Sequence, residues 1–188
     1  MVVAERRIAP PLNAGLVVVA GGMLVLLARP WLLADDRAAV SPRLAVFLTL
    51  GLAGALWPLR RRDEPSRRTV WPALALGCAA FGVGRLLVGL PPVASGLALA
   101  LALNAIAAIA EEVFFRRLVY GLLLPRGTGA AAAGSAALFA VAHVTVWGLW
   151  VLPLDLAAGL VLSWQRAATG RWSVPAVTHV VANTLALL

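Results

Sequence analysis

Apolar residues run through this chain in long blocks that charges, prolines and tryptophans interrupt. The blocks lie near 12 to 28, 44 to 58, 71 to 90, 95 to 124, 129 to 147, 150 to 165 and 174 to 188. Most approach the roughly 20 apolar residues that a helix needs to cross a bilayer core. The pattern predicts an all-α fold, a polytopic transmembrane bundle of about seven helices. The fourth block is long enough to bend, tilt or protrude. All seven tryptophans, Trp31, Trp57, Trp71, Trp147, Trp150, Trp164 and Trp172, fall at or near block ends. An amphipathic indole prefers that headgroup level, so the segmentation has a second support.

Composition agrees. Of 188 residues, 62% are hydrophobic and 13% charged, and the mean hydropathy is +0.91, far more apolar than a soluble domain could cover. All sixteen basic residues are arginine and the net charge is +8. The arginines cluster in short connections and form no folded basic face, so nucleic acid is not an expected partner. The partners expected are the lipid bilayer and a peptide or protein in or at the membrane. Cys78 is the single cysteine and lies in an apolar block. It excludes an internal disulfide and reads as a packing residue.

Arg60, Arg61, Arg62, Arg67 and Arg68 form the densest positive cluster, which the positive-inside rule places in the cytoplasm. Alternation then puts the N-terminus, Arg126, Arg166 and Arg171 inside and the connection at Pro91-Pro92 outside. Arg29, Arg37 and Arg43 disagree. Arg6 and Arg7 before the apolar run 14–28 resemble a signal peptide, but Arg29-Pro30 follows where small residues would be cleaved. We read an uncleaved first span. The arginine-only, alanine-rich composition points to a GC-rich bacterial genome, hence a bacterial inner membrane. From Thr128 to Ala142 the chain is mostly Ala and Gly, which lets membrane helices pack closely. The fifth helix is therefore expected at the centre.

Of eight acids, Glu5, Asp35, Asp36, Asp63 and Glu64 fall in connections or the N-terminal tail, leaving Glu111, Glu112 and Asp155. A carboxylate at a membrane helix centre costs about 2.5 to 3.5 kcal/mol, so adjacent glutamates inside a span need a reason. The two histidines, His143 and His179, also lie in apolar blocks. At ~1.5 Å per residue, Glu111 and His143 each stand about 20 Å from Arg126 along consecutive antiparallel helices, and can meet at one depth. His179 with Asn183, Phe139 with His143, and Glu112 with Arg116 are each four apart and share a helix face. Glu112 with Arg116 reads as an intrahelical ion pair. Glu111, turned about 100° away, is left for other work.

These residues resemble a known family, the CPBP intramembrane proteases, named for CAAX proteases and bacteriocin processing. Glu111-Glu112-Val113-Phe114-Phe115-Arg116 is similar to its EExxFR motif, Phe139 to His143 to FxxxH, and His179 to Asn183 to HxxxN. Thr169-Gly170 also fits the family pattern. The likeness covers residues from about 100 to 188. Arg117 departs from it, since a small residue usually follows the motif arginine. The resemblance implies that Glu111 is the general base for a water that His143 helps to hold. It implies that Glu112 and Arg116 order the site, and that His179 and Asn183 donate to the oxyanion. Phe139 reads as support for His143.

On this reading, residues 1–94 are motif-free helices and 95–188 the catalytic core of one integral-membrane domain. No serine or cysteine nucleophile accompanies the histidines, so direct attack by water is preferred to an acyl-enzyme. A metal-free glutamic endopeptidase is the favoured reading. A zinc enzyme using Glu111, His143 and His179 is the alternative, although the spacing is not HExxH. A non-enzymatic immunity or scaffold protein is the competing class, and a proton-coupled carrier would be expected to show internal repeats. Asp155, two residues after Pro153, suits a helix N-terminus and reads as capping or packing, with an active-site role as the alternative. Arg85 reads as a snorkelling or internally paired cation.

Overall fold

The computed structural model describes residues 12–32, 40–58, 69–88 and 96–188. The Arg60–Arg68 cluster, Pro91-Pro92, Arg37 and the charged N-terminal tail lie outside the described residues. Seven helices carry the described fold: α1 Leu12–Leu32, α2 Val40–Leu56, α3 Val70–Val88, α4 Leu97–Arg126, α5 Thr128–Trp147, α6 Leu152–Thr169 and α7 Ser173–Leu187. No strand occurs among the described residues. Each apolar block thus becomes one helix, and α1 runs on through Arg29 and Pro30.

Four helices, α1, α3, α4 and α5, are long and apolar enough to cross a membrane. The seven expected spans are therefore unequal. α2 and α7 are apolar but shorter, and α6 turns a polar stripe inward, with Ser163, Gln165 and Thr169 fully buried. Gln165 Nε2 donates to Ala73 O and to Thr178 Oγ1, both at 2.8 Å. Thr169 Oγ1 donates to Gln165 O at 2.7 Å. Those bonds offset part of the cost of burying the stripe, while Ser163 Oγ and Gln165 Oε1 are buried with no hydrogen-bond partner among the described residues. Leucines and tryptophans cover much of the outside. Trp31, Trp71, Trp147 and Trp150 are all more than half exposed near helix ends, as lipid-facing indoles should be.

α4 and α5 sit at the centre. α4 packs on α2, α5 and α7, while α5 packs on α1, α4 and most extensively on α6. The small-residue run does what its composition predicts: a Cβ on Gly159 of α6 would stand 3.0 Å from Ala136 Cα of α5. Along α4 the first ten residues are largely accessible, whereas Ala110 to Arg116 are all buried. The α-helix gives way to a π-helix over Val113–Val119, where Tyr120 N–H donates to Phe115 O. Ser135 Oγ from α5 also donates to that carbonyl, at 2.8 Å. Such widened turns concentrate at functional sites, and the apolar pattern gave no sign of this one.

The α2–α4 crossing is tight at this π segment. A Cβ on Gly54 would stand 2.6 Å from Val113 O, a backbone atom that cannot swing aside. Arg117 Nη1 donates to Gly54 O at the same crossing, so the residue that departs from the family pattern ties α4 to α2. Gly54→Ala is expected to destabilise the bundle by about 1 to 3 kcal/mol through overpacking. Thermal unfolding in detergent, followed by far-UV circular dichroism, reads this as a lowered midpoint. Elsewhere Arg85 Nε donates to Leu185 O at 2.8 Å, pairing internally as expected. Cys78 Sγ rests 4.0 Å from Thr178 Oγ1.

Candidate active site

Glu111 and Glu112 end the first α-helical stretch of α4, and their side chains diverge. Glu112 points into protein: its Oε1 lies 3.1 Å from Arg116 Nη1 and 2.9 Å from His179 Nδ1. Glu112 and Arg116 have no exposure at all. Arg116 also donates from Nη2 to Gly159 O at 3.2 Å, and its guanidinium lies over the Phe139 ring at 4.5 Å. A charge pair this dry holds only when further bonds satisfy it. Gly159 and His179 supply one each, while Glu112 Oε2 and Arg116 Nε are buried with no hydrogen-bond partner among the described residues. Arg166 Nε donates to Arg116 O at 3.1 Å, closing the α4–α6 contact.

Glu111 faces a cavity of about 450 Å³ whose wall includes Arg29, Arg43, Asn104, His143, His179 and Asn183. Its Oε2 stands 3.8 Å from His143 Nε2 and 4.0 Å from His179 Nε2. Three helices, α4, α5 and α7, thus aim one polar atom each at a common space. Asn183, four residues after His179, lines the same cavity. Phe139 supports both rings, with centroids 4.7 Å from His143 and 5.6 Å from His179. It packs edge-on to Phe115 at 5.5 Å.

The far ring nitrogens set the near ones. His143 Nδ1 lies 2.9 Å from Phe139 O, and a carbonyl only accepts, so Nδ1 carries a proton. In the neutral ring, Nε2 then presents a lone pair to the cavity. His179 Nδ1 likewise donates to Glu112 Oε1, since a carboxylate held by arginine is an acceptor. The gaps of 3.8 and 4.0 Å at Glu111 exceed direct hydrogen bonding and suit a small shared molecule between the groups.

Arg29 was assigned elsewhere on sequence grounds, and Asp155 carried an active-site role only as its second reading. Arg29, counted with the first connection, donates from Nη1 to Glu111 Oε1 at 3.2 Å and from Nη2 to Ala142 O at 3.3 Å. The signal was present, because Arg29 disagreed with the charge rule that ordered the other connections. Asp155, read as capping or packing, does lie in the first turn of α6. Its Oδ2 is buried without a hydrogen-bond partner and 3.6 Å from His143 Nδ1. Sequence spacing could not have shown that, since α6 reaches α5 only through packing.

The zinc alternative can be set against the same geometry. Among the described residues no group of three or more His, Cys, Asp or Glu side chains is arranged to hold a metal ion. Arg29 already engages one oxygen of Glu111, which would set a guanidinium beside a dication.

Comparison with known proteins gives a family assignment. No curated protein and no solved structure matches the chain. Residues 92–185 match the family described as type II CAAX prenyl endopeptidase Rce1-like. That stretch begins just ahead of α4 and ends in α7, and so holds Glu111, Glu112, Arg116, His143, His179 and Asn183. The match spans half of the chain, and with several long apolar helices in the bundle this integral membrane protein belongs to the type II CAAX prenyl endopeptidase Rce1-like family of membrane proteases.

Proposed function

We propose that the chain hydrolyses a peptide bond of a membrane-associated protein or peptide with a water activated by Glu111. The observation that carries this reading is the convergence of Glu111 Oε2, His143 Nε2 and His179 Nε2 on one cavity, within 4.0 Å of the glutamate oxygen. A water in that space donates one proton toward Glu111 Oε2 and is held by the lone pair of His143 Nε2. As it attacks the carbonyl carbon, Glu111 takes the proton and the carbonyl oxygen becomes an oxyanion. Asn183 Nδ2 donates to that oxygen. His179 donates from Nε2 as the imidazolium, its Nδ1–H held by Glu112. Each such donor is worth about 2.7 to 4 kcal/mol. Glu111 then passes its proton to the leaving amine as the C–N bond breaks.

Glu112, Arg116 and Phe139 position this set and do not touch substrate. The orientation we propose keeps the N-terminus in the cytoplasm of a bacterial cell. Of the three arginines that opposed it, Arg29 and Arg43 line the cavity, so the site accounts for their position. Terminal-peptide proteomics on membranes bearing wild type or Glu111→Gln tests the reading. A neo-terminus formed only by wild type supports it and names the substrate; matched profiles move the assignment to a non-enzymatic membrane protein. Exhaustive chelation of the purified protein is expected to leave cleavage of that substrate undiminished. Loss of cleavage with return on adding Zn²⁺ would establish the zinc enzyme instead.

A further inference from the structure

Arg29 stands on α1, far outside the stretch that matches the protease family, yet it reaches the centre of the site. Its guanidinium spans two helices: Nη1 donates to Glu111 Oε1 on α4 at 3.2 Å, and Nη2 to Ala142 O on α5 at 3.3 Å. Ala142 directly precedes His143. One planar cation therefore holds the proposed base and the backbone that carries its partner histidine in fixed relation. A guanidinium is suited to this because its donors form a rigid fork.

The contact is also selective between the two oxygens of Glu111. Oε1 is taken by Arg29, while Oε2 is the atom that faces His143 Nε2 and His179 Nε2. Rotation of the carboxylate about its terminal bond would exchange the two oxygens, and that torsion is soft in a free side chain. With Nη1 on Oε1, exchange requires breaking a charge-assisted bond at a side chain only 5% exposed. Arg29 is itself 11% exposed and lines the cavity, so it is accessible to a small solute. Other charged groups around Glu111 are Arg116 on α4 and Asp155 on α6, engaged with Glu112 and His143.

We infer that Arg29 is a positioning residue for Glu111: it pins Oε1 and braces α4 against α5, so that Oε2 is held ready for the attacking water. The inference rests on the proposed role of Glu111 as the base. It makes α1 part of the working site, although α1 carries none of the family motifs.

The test compares, in isolated membranes at matched insertion levels, the neo-terminus formed by wild type, Glu111→Gln, Arg29→Ala and Arg29→Lys. Arg29→Ala is expected to lower the rate of its formation by about 10²-fold, the scale of a small misplacement of a reacting group. Millimolar guanidinium is expected to restore part of that rate, where equal concentrations of NaCl do not, because the emptied position opens on the cavity. Arg29→Lys is expected to lie between Arg29→Ala and wild type. Wild-type rates from Arg29→Ala overturn the inference and leave the protease standing. So does loss of the product in both Arg29 variants with no response to guanidinium, which marks Arg29 as structural. Absence of any Glu111-dependent neo-terminus in wild type removes the protease reading, and this inference with it.

Discussion

In membranes carrying Glu111→Gln at the wild-type level, product formation is expected to fall by about 10²- to 10⁴-fold, the usual contribution of a positioned base. The substitution is nearly isosteric. Its amide retains an oxygen for Arg29, so the bond at 3.2 Å can persist. What it loses is the capacity to take a proton from water at the position facing His143 and His179. Glu111 also lies at the cavity wall, where the amide can keep contact with polar neighbours. Insertion and thermal stability are therefore expected to stay near wild type while the rate, measured by time-resolved quantification of the neo-terminus, collapses. A rate within a few-fold of wild type would remove Glu111 from the chemistry and leave its burial as a structural charge.

Arg116→Met is expected to have the opposite profile, with stability the first casualty. Methionine keeps much of the apolar stem but removes the cation from Glu112, whose side chain has no exposure. Removing one partner of a buried pair costs about 3 to 5 kcal/mol, because the other charge is left uncompensated. That is a large fraction of the roughly 5 to 15 kcal/mol that holds a domain folded. The same change removes the bond to Gly159 O and the stacking on Phe139, so α4 loses its grip on α6 and α5. The yield of folded protein and the midpoint of thermal unfolding in detergent should both drop well below wild type. Adding Glu112→Gln to this variant is expected to recover part of the loss, since partners in one network are not additive. A fully stable Arg116→Met protein would show that Glu112 does not depend on its arginine.

The two residues differ because adjacent positions on one helix point about 100° apart. Glu111 meets the cavity, whereas Glu112 meets the dry interior between α4 and α7. Their exposures are nearly equal, so burial alone would not separate them. Their partners do.

Much of this was readable from residue order. Seven apolar blocks gave seven helices because apolar length is a local property, set by what a bilayer or a bundle interior requires. The Glu112–Arg116 pair was readable for a similar reason: four residues along a helix is one turn, and one turn brings side chains together. The shared helix faces of Phe139 with His143 and of His179 with Asn183 follow from the same periodicity. The depth of Glu111 relative to His143 followed from counting residues back to the turn at Arg126. Each of these depends on geometry within one helix or between chain neighbours.

Arg29 escaped that reasoning, and Asp155 was read first as capping or packing with an active-site role second. Arg29 is 82 residues from Glu111, and no periodicity connects α1 to α4. Only the docking of α1 against α5 brings its guanidinium to both. Asp155 was placed correctly at the start of α6, but the direction of its carboxylate depends on how closely α6 packs on α5 at Gly159 and Ala136. The π segment at Val113–Val119 was hidden as well, because an α-helix and a π-helix present nearly the same apolar pattern and differ in which carbonyl each N–H finds. Composition and spacing thus suffice for the helices, for the pairs within them and for a family likeness. Which helices meet, which oxygen of Glu111 is free, and which distant cation holds the other are settled by packing between helices, where close approach of small residues and the demands of buried charge act across the whole bundle.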